Sequence, residues 1–529
     1  MAQVSKSSFF EKLSRISLYL LVFLLPLWFL PFTQDVLAYQ KQALLLALVF
    51  LGIISWLARN IALGEINIRI NWLYAPIGFF LAVFGASTIF SLSRYGSFWG
   101  WPMDVGDSFL TFLGFSLLCF LIINTVRDSK QLFSVIFLFL ISGVLAGIIA
   151  LLQLYKVFLF PFDFTKFVSF NTIGSTVNSV AMLSSVLLPL ALILAFVSKV
   201  LLRILLFGIV GILFLAIAFI NFSSAWIVLT AGLLVLLAFG LWNLRKRQEF
   251  GWISFPMALL IIALFFLIFK ISLPGTPSIP AEVSPSRNAE MDIARGVLKG
   301  GAMVIGSGPG TFTLDYSKFH SALFNQTAFW GTRFSSGSSE VFDSVITKGI
   351  LGVIALLTLM AGAVFLGVKK LAKPSEDSFA WMLNLGILAS LVALIVAFFL
   401  YPSNFVLWLV FFVLLGALGV NLSPEIKKIP LASPSILAVG MSFAFLLILI
   451  FGLGLMFIGG QKYFAEVQYL KGARLSAQGQ TDKAIEKILS AASINPSVDI
   501  YWRDLAQLYL AQVNQISANP NLSQEQKQQ

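Results

Sequence analysis

Long apolar runs separated by short polar punctuation dominate the chain. A helix that crosses a bilayer needs roughly 20 predominantly apolar residues. Runs of that size fall near 16–32, 42–58, 72–90, 108–124, 131–152, 179–197, 201–220, 225–242, 253–271, 341–368, 379–400, 403–421 and 434–458. The pattern predicts an all-α polytopic membrane protein with about thirteen transmembrane helices. Two stretches break the rhythm: a loop over 272–340 and a tail from Gly459. The loop opens on a Pro-rich piece, 274–285, and continues into a helix-compatible segment, 287–303. It then turns at Gly306-Ser307-Gly308-Pro309-Gly310. In the tail, Gly479 precedes Ala484, Ala491, Ala492 and Pro496, with helical patterns on both sides. That spacing resembles one tetratricopeptide helix pair and part of a second. The expected organisation is a transmembrane domain, 1–458, a tetratricopeptide-like segment, 459–516, and a disordered tail, 517–529.

Composition strengthens this picture. Hydrophobic residues make up 59% of the 529 and charged residues only 11%, against roughly 25% charged in a soluble domain. The net charge of +12 does not point to nucleic acid, because most Lys and Arg sit in short loops between apolar runs. With a cytoplasmic N-terminus, seventeen of them fall in inner segments: Lys6, Lys12, Arg15, Arg59, Arg69, Arg127, Lys130, Lys199, Arg203, Arg245, Lys246, Arg247, Lys369, Lys370, Lys373, Lys427 and Lys428. The short outer loops hold four: Lys41, Arg94, Lys156 and Lys166. This asymmetry orients the chain and, with thirteen spans, places the C-terminus outside the cytoplasmic membrane of a prokaryote. The first run reads as a retained span rather than a cleaved signal.

Candidate chemistry concentrates in the outer loops. The single cysteine, Cys119, lies inside an apolar run, so the chain has no disulfide framework and no Cys-based metal site. A lone histidine, His320, rules out a multi-histidine centre and reads better as an interfacial helix residue than as a catalyst. The glycine turn at 306–310 lacks the Gly-Lys-Ser/Thr of a phosphate-binding P-loop. Arg287 and Arg295 are two turns apart on the same candidate helix, and Arg333 precedes Ser335-Ser336-Gly337-Ser338-Ser339-Glu340. Glu340, Asp343 and Thr347 share one helical face. Acids in a first turn also complement the helix dipole, so a stabilising role and a functional one both stand for Glu340 and Asp343. Further polar clusters are Asn171, Ser175, Thr176 and Asn178; Asn221, Ser223 and Ser224; and Arg94, Trp99, Trp101 and Asp104. Together with the long loop they are placed to roof one cavity.

In their order, these segments resemble the O-antigen ligase and polymerase family of membrane glycosyltransferases, over most of the chain. The likeness is carried by Arg287 and its helix, the turn Gly306-Ser307-Gly308-Pro309-Gly310-Thr311-Phe312, and the segment from Glu340 to Gly349-Ile350-Leu351-Gly352. Gly174-Ser175-Thr176-Val177-Asn178-Ser179-Val180-Ala181 and the loop 91–100 add to it. The resemblance implies a GT-C-like fold. It also implies transfer of a glycan from an undecaprenyl-diphosphate carrier to a glycolipid, glycan or protein acceptor hydroxyl, in surface polysaccharide biosynthesis. No cofactor is implied, and the tail is suited to a protein partner. Fixed arginines would hold the leaving diphosphate: Arg287 first, then Arg333, Arg295 and Arg94. A general base would activate the acceptor. Asn178, Ser338, Ser339, Gly306, Gly308 and Gly310 complete the implied substrate site.

Two departures from the family stand out. Where many relatives carry His and Asn, this chain has Ser338 and Ser339, which leaves Glu340 as the base. Ser223-Ser224-Ala225 lacks the arginine relatives often have there. Three other readings remain: a lipid-linked glycan flippase or other transporter, a protein-glycosylating ligase, and a non-catalytic assembly factor.

Overall fold

A computed structural model describes residues 2–174, 176–247, 251–327, 329–373, 377–423, 425–431 and 436–518. Ser175, the end of the tail from 519, and the side chains of Lys6, Arg245, Lys246 and Arg247 lie outside the described part. The architecture is all-α. Its helices are α1 (Ala2–Leu24), α2 (Ala38–Leu63), α3 (Tyr74–Ile89), α4 (Arg94–Trp99), α5 (Phe109–Thr125), α6 (Ser129–Leu154), α7 (Asn178–Val197), α8 (Val200–Ile220), α9 (Ser223–Arg247) and α10 (Ser254–Phe269). The chain continues with α11 (Arg287–Val297), α12 (Phe312–Phe319), α13 (Glu340–Ala372), α14 (Ser378–Leu400), α15 (Phe405–Leu422), α16 (Ile436–Ala477), α17 (Thr481–Ile494) and α18 (Asp499–Ala518). Among the described residues nine helices are long and apolar enough to cross a membrane, and α3, α5 and α10 are shorter apolar helices. Every apolar run read from the sequence falls on a helix. The first is displaced, because α1 stops at Leu24, ahead of Pro26, and the stretch to residue 32 is turn and coil.

The chain divides into two units, residues 1–28 with 44–445, and residues 29–43 with 446–529. In the first, α7 and α15 are buried almost all round. A helix that is apolar on every face belongs in the centre of a bundle. Helix α7 packs on α8, α9 and α14, α15 on α5 and α14, and α13 on α3 and α14. By contrast α8 and α10 turn Leu201, Ile204, Ile261 and Ile268 outward, as a lipid-facing surface does.

Two backbone devices shape the ends of this bundle. At one end, the last carbonyls of α5 have no partner within the helix. The buried Arg69 guanidinium donates to the carbonyls of Ile123, Val126 and Arg127, a cation where the helix dipole favours one. Beside it, β1 (Glu65–Ile68) pairs antiparallel with β2 (Lys427–Pro430), Ile66 opposite Ile429. At the other end α13 is broken at Gly349, which sits at φ 66°, ψ −169°. Backbone freed inside a membrane helix must find other partners, and the segment after α11 supplies them. The amides of Ile350 and Leu351 donate to the carbonyls of Met303 and Val304, each at 3.0 Å, and the Gly308 amide donates to the Thr347 carbonyl at 2.8 Å.

The second unit carries the tail. Helix α16 runs from its apolar part into the tail without a break at 459. Its last turns pack with α17 and α18 around Ala465, Tyr469, Ala484, Ile488, Ala491, Tyr501 and Leu505. Gly472 lets α16 approach α17 closely, since a Cβ there would meet Ile488 at 2.6 Å. Tyr469 donates to Asp504 at 2.6 Å, and Tyr501 donates to Glu466.

Candidate functional site

The break in α13 draws four segments of the first unit together: the loop 91–108, the glycine turn 304–311, the start of α13, and the turn 401–404 between α14 and α15. Glycine is required where the turn meets its neighbours. Gly308 has φ 119°, and a Cβ there would lie 1.9 Å from the Ser91 hydroxyl; one on Gly306 would lie 2.3 Å from the Thr347 backbone. The Leu92 amide donates to the Ser307 carbonyl at 2.8 Å, and the Ser97 hydroxyl donates to the Pro309 carbonyl at 2.7 Å. Asp107 accepts from the Gly310 amide at 2.9 Å. A second hydroxyl cluster closes the turn, where Ser307 donates to Asp315 and lies 2.7 Å from Thr311.

At the centre stands Lys348, 2% exposed. Its ammonium is 2.7 Å from Asp107 and 3.3 Å from Glu340, and it lies over the Phe84 ring, 5.3 Å from the centroid. Glu340 also accepts from Ser344 at 3.2 Å and from Ser403. Next to this triad, Asp343 accepts from the Gly337 amide at 2.8 Å. Glu290 of α11 receives both the amide and the hydroxyl of Ser338. Gly337 is wedged between these two carboxyls, for a Cβ would meet Glu290 at 2.1 Å and Asp343 at 2.5 Å. One buried ammonium therefore serves a neighbourhood of carboxyls.

The loop acids respond as burial dictates. Burial, then the neighbouring Asp107, lifts the Asp104 carboxyl to about 7. Burial raises Asp107 too, against the pull of Lys348, and raises Glu290 against its hydrogen bonds from Ser338. Asp315 is raised by burial to about 6.

A third node joins α7 to the long loop. Glu282 accepts from Asn178 at 2.7 Å and from the Tyr401 hydroxyl at 3.0 Å. Thr176 lies 2.9 Å from that same hydroxyl. Because the Glu340 amide donates to the Tyr401 carbonyl at 3.3 Å, this node and the Lys348 triad are built on the same turn.

The residues singled out in the sequence separate into two groups. Glu340, Ser338, Ser339, Gly306, Gly308, Gly310 and Asn178 are inside this assembly, Ser339 as the cap whose hydroxyl accepts from the Phe342 amide. The arginines form the second group, at the surface. Arg287, Arg295, Arg333 and Arg94 are all exposed. Arg295 pairs with Asp292 at 3.3 Å on its own helix, and Arg287 interacts with the nearby Glu290. Arg287 and Arg295 do both lie on α11, although its regular part ends at Val297 and a wider turn, Leu298–Ala302, succeeds it. His320 packs on the aromatic ring of Tyr316, centroids 5.0 Å apart. Asn221 sits apart from the assembly, receiving the Trp226 indole N–H and donating to the Ile271 carbonyl.

Sequence reasoning passed over Lys348, Asp107, Glu290, Glu282, Tyr401 and Ser403. For Lys348 a signal existed: a lysine eight residues after Glu340, two helical turns on, inside an otherwise apolar run. Among the described residues no group of His, Cys, Asp and Glu is arranged to hold a metal ion. Comparison with family models finds no match for this chain, and comparison with curated proteins finds none either.

Proposed function

We propose that this protein is a membrane glycosyltransferase that moves a glycan from a polyprenyl-diphosphate carrier to an acceptor hydroxyl. In this reading it has thirteen spans and a GT-C-like architecture, and the end bearing the long loop faces outward from the cytoplasmic membrane. The observation that carries the reading is convergence. The loop 91–100, the glycine turn, the Glu340 segment and Asn178 are far apart in sequence, are each singled out by the ligase resemblance, and belong to one connected assembly.

The chemistry asks for an acid–base group and for stabilisation of a leaving diphosphate. A base is most effective when its pKa lies near working pH. Asp104, at about 7, meets that condition beside Glu340, whose own carboxylate is committed to Lys348 and Ser403. Arg287 and Arg333, exposed on the long loop, have side chains able to swing onto a diphosphate when donor binds. The decisive experiment incubates the protein in lipid with undecaprenyl-diphosphate oligosaccharide and a panel of acceptors. Release of undecaprenyl diphosphate is then followed by mass spectrometry for wild type, Glu340→Gln, Asp104→Asn and Arg287→Ala. Acceptor-dependent release that falls about a hundredfold or more in a carboxylate variant supports the proposal. No release with any donor and acceptor would remove it.

A second reading is favoured by the broken α13 and its buried ion triad. Ionisable groups at a helix break are also how transporters couple substrate to ions. Movement of the intact lipid-linked glycan across a vesicle membrane, without release of diphosphate, would select it.

A further inference from the structure

At the opposite end of α13 lies a cavity of about 240 Å3. Its lining includes Arg69, Arg127, Lys370, Trp381, Asn384 and Asn421, with Asp128 and Ser129 at the start of α6. All belong to the first unit. Three of these side chains are more than nine-tenths buried yet hold polar atoms without a partner. They are Arg69, 1% exposed, at its Nε; Asn384, 4% exposed, at its Oδ1; and Asn421, 8% exposed, at its Nδ2. Leaving a buried polar atom unsatisfied is unfavourable, so the wall of this cavity is polar and incompletely paired.

The cavity's charge says by what. Arg69, Arg127 and Lys370 contribute three cations. The one carboxylate of the lining, Asp128, is engaged as the helix cap, accepting from the Gln131 amide at 2.8 Å. Arg127 keeps a partner in Glu11, but that carboxylate is also shared with Arg15 and Arg59. The Trp381 indole, which donates to the Leu371 carbonyl at 3.2 Å, gives the wall the amphipathic character of a membrane interface. With Arg69, Arg127 and Lys370 in its lining against the one carboxylate of Asp128, the cavity carries an excess of positive charge, and the ligand it favours is an anion that accepts hydrogen bonds.

We infer that this cavity binds a phosphate group, and that in the membrane the group is the headgroup of an anionic phospholipid. Basic pockets between membrane helices suit such headgroups. The site stands apart from glycosyl transfer, since none of these residues belongs to the assembly around Lys348.

The test uses the full chain in nanodiscs of phosphatidylcholine alone, or with about one lipid in five replaced by phosphatidylglycerol. Lipid retained on extraction into detergent is counted by native mass spectrometry. Binding of inorganic phosphate is measured separately by a shift in the unfolding midpoint. Wild type should retain phosphatidylglycerol selectively, and Lys370→Gln, a partly exposed position that leaves the fold alone, should weaken retention about tenfold. Asn421→Leu, which makes that part of the polar wall apolar, should weaken it as much. A response to inorganic phosphate alone would keep the phosphate site and reject the lipid as its source. Equal retention of both lipids with no response to phosphate, or identical behaviour of wild type and both variants, overturns the inference.

Discussion

The two ends of the membrane unit solve opposite electrostatic problems in the same way, by sharing one ion among several of the other sign. Where α13 begins, a single ammonium, Lys348, sits between Asp107 and Glu340, with Asp104, Asp343 and Glu290 close by. At the far end lies Lys370, 22 residues further along α13 and beyond its break at Gly349. There a single carboxylate, Glu11, is shared by Arg15, Arg59 and Arg127. The lysine is sealed, 2% exposed, with Glu340 at 5% and Asp107 at 14%. The Glu11 group is partly open, with Arg127 42% exposed. An ion that is sealed away cannot exchange its partners for water, so those partners are obligatory. An ion at a wet surface can.

That contrast yields predictions of graded size. Lys348→Met leaves two buried carboxylates without their cation and should destabilise the protein by about 3–5 kcal/mol, measured by unfolding in mixed micelles. An effect under about 1 kcal/mol would show that the triad is not the closed unit described. Gly308→Ala, at φ 119° and with the Ser91 hydroxyl 1.9 Å from the new Cβ, should cost about 2–3 kcal/mol through backbone strain and overpacking. Gly300→Ala serves as its control, since nothing lies within 4 Å of a Cβ there.

Titration distinguishes the ends as well. A carboxyl whose pKa in the fold exceeds its unfolded value, about 3.9 for Asp, is favoured in its neutral form. Its contribution to stability is therefore full below the unfolded pKa and is lost as pH rises through the folded one. With Asp104 at about 7, stability should decline between about pH 4 and 7 and level off above. Asp104→Asn should flatten the decline, and a steeper slope in that variant would contradict the assignment. The smallest effect belongs to Glu11→Gln. Partly exposed ion pairs contribute at most about 1 kcal/mol, and the loss should shrink further in high salt. A salt-independent loss of several kcal/mol would erase the distinction between the two ends.

Much of this architecture is legible in the order of residues. The apolar runs identify helices because lipid leaves backbone groups no partner but the helix itself. The glycine turn and Gly349 are visible as motifs, and they do meet. Small residues in the tail stand where helices approach, Gly472 and Ala484 among them. The candidate arginines are equally visible, yet their spacing carries no information on whether they converge, and they remain on the surface. Glu282 is illegible, since nothing in a Pro-rich loop announces contact with Asn178 and Tyr401 more than a hundred residues away.

By itself, then, the sequence determined the solvent, the helices and the places where the backbone must bend, because these depend on the hydrophobicity and steric freedom of residues near one another in the chain. Only the tertiary structure decided which charges are partners. Asp107 and Lys348 are 241 positions apart and end 2.7 Å from each other, and such a pairing arises from how helices pack rather than from any local pattern. The same is true of the cavity between Arg69, Lys370 and Asn421. Its lining comes from five separate stretches of chain, and its unsatisfied donors exist only once those stretches have been brought together.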